Sequence, residues 1–197
     1  MNRRAAVAAS AVLLLVTGCA TLPEPAAPGD WDTRRAELQA LDRWTLSGRV
    51  AVAAGDEGFS GGLTWSQSGT RAEIELRGPV GGSALAIRVD GSDFSVTDQH
   101  GEVFNGDRAR ELVALRVGSD LPISELRYWL VGAPAPGAQH QETLGADARL
   151  AMLDQAGWQV RYDRYRLAGT TPLPARLDIA KGMLRLRVAV QDWRLAP

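Results

Sequence analysis

The sequence predicts a mainly β, α+β domain built on an antiparallel meander. Three observations carry that reading. Short segments of alternating apolar and polar residues recur along the chain, separated by turn signals, and tight turns join only antiparallel neighbours. Twenty-one glycines in 197 residues point to turns and strands rather than to a helical bundle. Hydrophobic residues make up 45%, enough for a core. The chain needs one, because a single cysteine leaves no disulfide to staple it.

The amino terminus reads as an export signal. Asn2-Arg3-Arg4 is a short basic start, and an apolar run from Ala5 to Val16 follows. That pattern is a signal peptide, too short to span a bilayer as a permanent helix. It ends in Val16-Thr17-Gly18-Cys19, which resembles the lipobox of bacterial lipoproteins. The resemblance implies cleavage after residue 18 and acylation of Cys19, so that 1–18 is the signal peptide and Cys19 the anchor. Two or three acyl chains, at about 0.8 kcal/mol per buried methylene, hold far more firmly than one. Ala20 follows the cysteine in place of aspartate, which by the lipoprotein convention implies the outer membrane. Residues 19–29, with Pro23, Pro25 and Pro28, form an extended tether. The folded domain is then 30–197. Lys plus Arg is 22 and Asp plus Glu is 23. Loss of Arg3 and Arg4 leaves 20 against 23, a balance of −3. No basic footprint points to nucleic acid.

Asp30 to Asp42 reads as a helix, capped by Asp30, with Trp31, Leu38 and Leu41 on one face. Strands follow at Trp44–Val52, Leu63–Gln67, Ala72–Arg77, Ala84–Val89, Phe94–Thr97 and Glu102–Phe104. The connections are glycine-rich: Gly55 to Gly58, Ser68-Gly69, Asp90-Gly91 and Gln99-His100-Gly101. Two helices interrupt the strands. Asp107 caps the first, which carries Ala109, Leu112, Val113 and Leu115. Ser124 caps the second. Leu126, Tyr128, Trp129, Leu130 and Val131 make it apolar nearly all round, and Gly132 stops it. Ala133 to Gly145 reads as a loop. Four strands finish the chain, at Arg149–Leu153, Trp158–Asp163, Ala175–Ile179 and Leu184–Val190, with Lys181-Gly182 turning the last hairpin.

No catalytic constellation emerges. His100 and His140 both fall in expected turns or loops. No His/Cys/Asp/Glu cluster has metal spacing, no Gly-x-Ser-x-Gly elbow occurs, and Gly78-Pro79-Val80-Gly81-Gly82 lacks the ending of a phosphate loop. No enzyme, metal or cofactor is expected. Tryptophan is what the chain does have. Trp44, Trp65, Trp129, Trp158 and Trp193 lie in or beside expected elements. Each brings a large apolar body with one N–H to satisfy. They fit core packing, and with the apolar helix they also fit the walls of a cavity in a curved, unfilled sheet. Val80, alone among small residues, is either a buried loop anchor or an exposed apolar finger.

The ordered set of motifs resembles the LolB family of outer-membrane receptors in lipoprotein sorting. The matching pieces are Val16-Thr17-Gly18-Cys19, Trp44-x-Leu46-x-Gly48-Arg49, Gly62-Leu63-x-Trp65-x-Gln67 and Gly78-Pro79-Val80-Gly81. Further on come Leu121-Pro122-Ile123, Leu126-x-x-Trp129-Leu130-x-Gly132, Leu173-Pro174-Ala175-Arg176-Leu177 and a last strand closing on Trp193. The resemblance implies a LolA/LolB-like fold: an incomplete antiparallel β-barrel enclosing a hydrophobic cavity, with helices covering its open face. It implies that a periplasmic carrier, LolA, delivers acylated lipoprotein cargo. The chain would take the acyl chains into its cavity and insert the cargo into outer-membrane lipid without cofactor or nucleotide. The family's exposed loop leucine matches Val80, making Pro79, Val80 and Gly81 the membrane-targeting loop. Candidate cavity residues are Trp44, Leu46, Leu63, Trp65, Leu126, Trp129, Leu130 and Trp158. Two other readings stay open here: a structural or sensor lipoprotein that binds protein partners without carrying lipid, and a hydrolase, which would need a serine close to His100 or His140.

Overall fold

The computed structural model describes residues 29–55, 57–78, 83–117 and 121–196. The signal peptide, Cys19, most of the tether and the Pro79-Val80-Gly81 loop lie outside the described residues.

Helix α1 (Gly29–Gln39) leads into six strands: β1 (Arg43–Ala54), β2 (Glu57–Ser68), β3 (Arg71–Arg77), β4 (Ser83–Asp90), β5 (Asp93–Asp98) and β6 (Val103–Asn105). Helices α2 (Gly106–Val117) and α3 (Ile123–Val131) follow. Five more strands complete the chain: β7 (His140–Leu144), β8 (Leu150–Gln155), β9 (Trp158–Ala168), β10 (Thr171–Lys181) and β11 (Leu184–Leu195). All eleven belong to one antiparallel sheet in the order β6-β5-β4-β3-β2-β1-β11-β10-β9-β8-β7. Two meanders are therefore joined where the first strand pairs with the last. β6 and β7 stand at the two ends of the strand order, so the sheet is open.

Alternation places the core on one face. In β1, Trp44, Leu46, Val50 and Val52 are buried while Arg49 and Ala51 are exposed. In β11, Leu184, Leu186, Val188 and Val190 do the same. A bulge between Ser47 and Gly48 shifts the register, so that Leu46 faces Trp193 and Gly48 faces Val190. Helix α2 packs on β5 and β6, and α3 on α1 and β10. Trp31 and Leu38 bury the inner side of α1.

Several expectations are corrected. Helix α1 stops at Gln39, since Asp42 already gives its carbonyl to the Gly69 N–H at 2.8 Å. Asp107 lies inside the first turn of α2, not at its cap, and pairs with Arg110 at 3.4 Å. Pro122 rather than Ser124 caps α3, without any side-chain hydrogen bond, and the Ser124 hydroxyl donates to Glu125 instead. β2 starts at Glu57, because its glycine-rich first half completes the ladder with β1 through backbone alone. The stretch read as a loop from Ala133 to Gly145 contains β7, so His140 opens an edge strand.

Candidate functional site

The concave face of the sheet and α3 enclose a cavity of about 60 Å³. Every lining side chain is apolar: Val50 and Val52 from β1, Leu63 and Trp65 from β2, Ile74 and Leu76 from β3, Ile87 from β4, Ile179 from β10, and Leu186 and Val188 from β11. Leu121, Ile123, Leu126 and Leu130 close it from the helix side. This void is smaller than the roughly 150 Å³ that admits a benzene ring. In this form the site is therefore too small to hold an acyl chain.

Of the residues singled out from sequence, Leu63, Trp65, Leu126 and Leu130 line the cavity. Trp44 and Leu46 pack beyond it. Trp44 lies 5.4 Å from Trp193, edge to face, and 6.0 Å from Trp65. Trp129 and Trp158, neither of which lines the cavity, form a second pair at 6.0 Å. These pairs are core packing of the kind aromatic rings favour.

Gln155, which nothing in the sequence singles out, fixes the carboxyl end of α3. It is 2% exposed. Its Oε1 accepts from the Trp129 indole N–H and the Ala135 N–H, and its Nε2 donates to the Ala135 carbonyl, each at 2.8 Å. The Tyr162 hydroxyl donates to the Trp129 carbonyl at 3.0 Å. Burial pushes the Tyr162 and Tyr165 phenols up, so both remain protonated donors. Gly132 ends the helix at φ 88°, a left-handed residue for which glycine is suited. Its N–H donates to the Trp129 carbonyl, and that of Ala133 to the Tyr128 carbonyl. The opposite end of α3 starts at Pro122 without a side-chain cap, flanked by the apolar pair Leu121 and Ile123.

Leu121 and Ile123 also line a second, more open space of about 550 Å³, between α2, α3 and the β2–β3 and β4–β5 turns. One short apolar wall thus divides a shut cavity from a ligand-sized cleft.

The histidine rings have ordinary partners. His100 meets Gln99 at 3.1 Å. His140 meets the Ala138 carbonyl at 3.0 Å and Glu142 at 3.3 Å. Among the described residues, no group of three His, Cys, Asp or Glu could hold a metal ion, and no helix is long and apolar enough to cross a membrane.

An open antiparallel sheet curled round an apolar hollow, with a helix laid across it, defines a half-barrel of the LolA type. Solved structures share that fold. A LolA superfamily protein from Nitrosomonas europaea superposes with a TM-score of 0.53 at 13% identity, over 86% of this chain and 93% of its own. A DUF1329 family protein from Desulfovibrio piger gives 0.58 at 9%, over 84% and 90%. Within this class, the family model described as outer membrane lipoprotein LolB matches residues 42–193. Outer-membrane lipoprotein LolB from Alkalilimnicola ehrlichii is 36% identical with both chains covered in full. The protein of that name from Nitrosococcus oceani is 35% identical over 93% of this chain and 94% of its own. The chain belongs to the LolB family of outer-membrane lipoproteins.

Proposed function

We propose that this protein is an outer-membrane-anchored acceptor that takes the acyl chains of lipoproteins from the periplasmic carrier LolA and inserts the cargo into outer-membrane lipid. The wholly apolar cavity under α3 carries this reading. Acyl chains exposed to water cost about 25 cal/mol per Å². Passing them from one apolar interior to another, and then to a bilayer, avoids that cost. Direction needs only rising affinity, about 1.4 kcal/mol for each tenfold step. The transfer makes and breaks no covalent bond, so it requires no catalytic group.

The shut cavity must widen to receive a chain. Gln155 and Tyr162 clamp the carboxyl end of α3 through buried hydrogen bonds, whereas the Leu121 and Ile123 side chains at the amino end make apolar contacts with the cavity. Displacing that wall joins the cavity to the 550 Å³ cleft. The result is a space within the roughly 300–1,000 Å³ range of ligand sites. The incoming chain replaces the contacts that the wall gives up. In this reading Cys19 is the anchor, and Val80, flanked by Pro79 and Gly81, is the membrane-contacting finger.

Native mass spectrometry of the mature chain incubated with an acylated peptide tests the proposal. Stoichiometric retention is the expected result. A chain that retains no peptide is not a carrier, and would instead be a structural or sensor lipoprotein. Val80→Glu is expected to leave uptake intact and to block delivery to vesicles. Normal delivery by that variant removes the finger from the mechanism.

A further inference from the structure

The cleft outside the Leu121 and Ile123 wall carries charge that acylated cargo does not explain. Arg110 of α2 and Arg127 of α3 both line it, and among the described residues that line it none is acidic. Each guanidinium lies over an aromatic ring: Arg110 is 5.2 Å from the Phe94 centroid and Arg127 is 4.5 Å from that of Tyr128. Arg127 also donates to the Gly69 carbonyl at 2.8 Å, which fixes it at the rim. Among the described residues, the one acidic partner of either is Asp107, 97% exposed and 3.4 Å from Arg110. Inside, Val89, Val113, Leu121 and Ile123 give an apolar wall. A cysteine lipidated at both its thiol and its amino group has no charge at its lipid end, so it offers these two guanidiniums no anion. Guanidinium forks suit phosphate oxygens.

We propose that the cleft between α2 and α3 binds a single-chain anionic phospholipid from the membrane that anchors the protein. Arg110 and Arg127 hold the phosphate, and the chain lies along Val113 and Ile123. Half-occupied by lipid, the cleft keeps an apolar path open to the Leu121 wall. The inference goes beyond the proposed cargo role but shares its cavity entrance.

The test is native mass spectrometry of the lipid-anchored mature chain released from a non-ionic detergent. The chain is offered lysophosphatidylglycerol, or a monoacylglycerol of the same chain length. The expected result is one bound lysophospholipid, preferred about tenfold over the uncharged amphiphile because charge-assisted bonds are worth that much or more. The preference falls about threefold in Arg110→Gln, whose side chain is half exposed and carries little of the fold. It disappears in Arg110→Gln combined with Arg127→Gln. Equal retention of the two amphiphiles by the unmodified chain overturns the proposal, and so does a preference that survives in the double variant. Retention of an acylated peptide without any preference for the anion sinks this inference alone. The converse pattern sinks the cargo role alone.

Discussion

Replacing Gln155 with leucine tests whether α3 is clamped as the hydrogen bonds indicate. The side chain is 2% exposed, and its amide serves the Trp129 indole N–H, the Ala135 N–H and the Ala135 carbonyl, each at 2.8 Å. Leucine has nearly the same volume, so the substitution leaves little cavity but strands three buried polar groups. Each costs about 1–3 kcal/mol. Burial of the added methyl groups returns about 1 kcal/mol. The three groups share one amide, so their losses do not add fully. The net loss is about 3–5 kcal/mol, a large share of the roughly 5–15 kcal/mol that holds a domain together. For a chain of this length, Tm should fall by roughly 10 °C. Urea unfolding gives the free energy directly, provided the slope is unchanged. A loss below about 1 kcal/mol would refute the clamp. Trp129 and Ala135 would then be satisfied by other groups, and α3 would owe its position to apolar packing alone.

Gly48→Ala should cost about 2–3 kcal/mol by overpacking, because a Cβ there would stand 2.2 Å from the Ala189 carbonyl oxygen across the β1–β11 seam. Thermal unfolding reads the loss, and an unchanged Tm contradicts it. Glu142→Ala should cost about 2 kcal/mol. It removes the acceptor of both the Trp31 indole N–H at 2.8 Å and Arg35 at 2.9 Å. Hydrogen exchange in α1 should accelerate ahead of exchange in the central strands. At Asp178, burial alone would raise the carboxyl, but the Arg187 hydrogen bond and charge, with Asp163 and Arg161, outweigh it and leave it below its ordinary 3.8. A lowered value means stability present above the ordinary 3.8 and lost as pH falls from there through the lower value of the folded state. The unmodified chain should therefore lose about 0.5 kcal/mol more than Asp178→Asn between pH 5 and pH 3, the scale of a solvent-facing pair. Parallel acid profiles would contradict this.

The alternation of β1 and β3 was visible in the sequence because one face of each is largely buried and the other more exposed. Gly132 was visible as a helix stop because it must be left-handed. β7 was not. Its five residues are exposed or half-buried throughout, and its pairing with β8, together with α1 held on Glu142, makes it a strand. Gln155 lies between the strands expected at Arg149–Leu153 and Trp158–Asp163, and only the fold brings Trp129 and Ala135 to it. Spacing could mark the tryptophans as large and apolar. It could not tell Trp65, on the cavity wall, from Trp44, whose ring is engaged by Trp193 nearly 150 residues away. The wall formed by Leu121 and Ile123 depends on where α3 lands, which no local pattern encodes.

The pairing of β1 with β11 joins the two meanders at the middle of the sheet. Without β11 the inner edges of both would stand uncovered. Loss of that one strand would therefore open the molecule at its centre rather than fray a margin. It acts as a keystone.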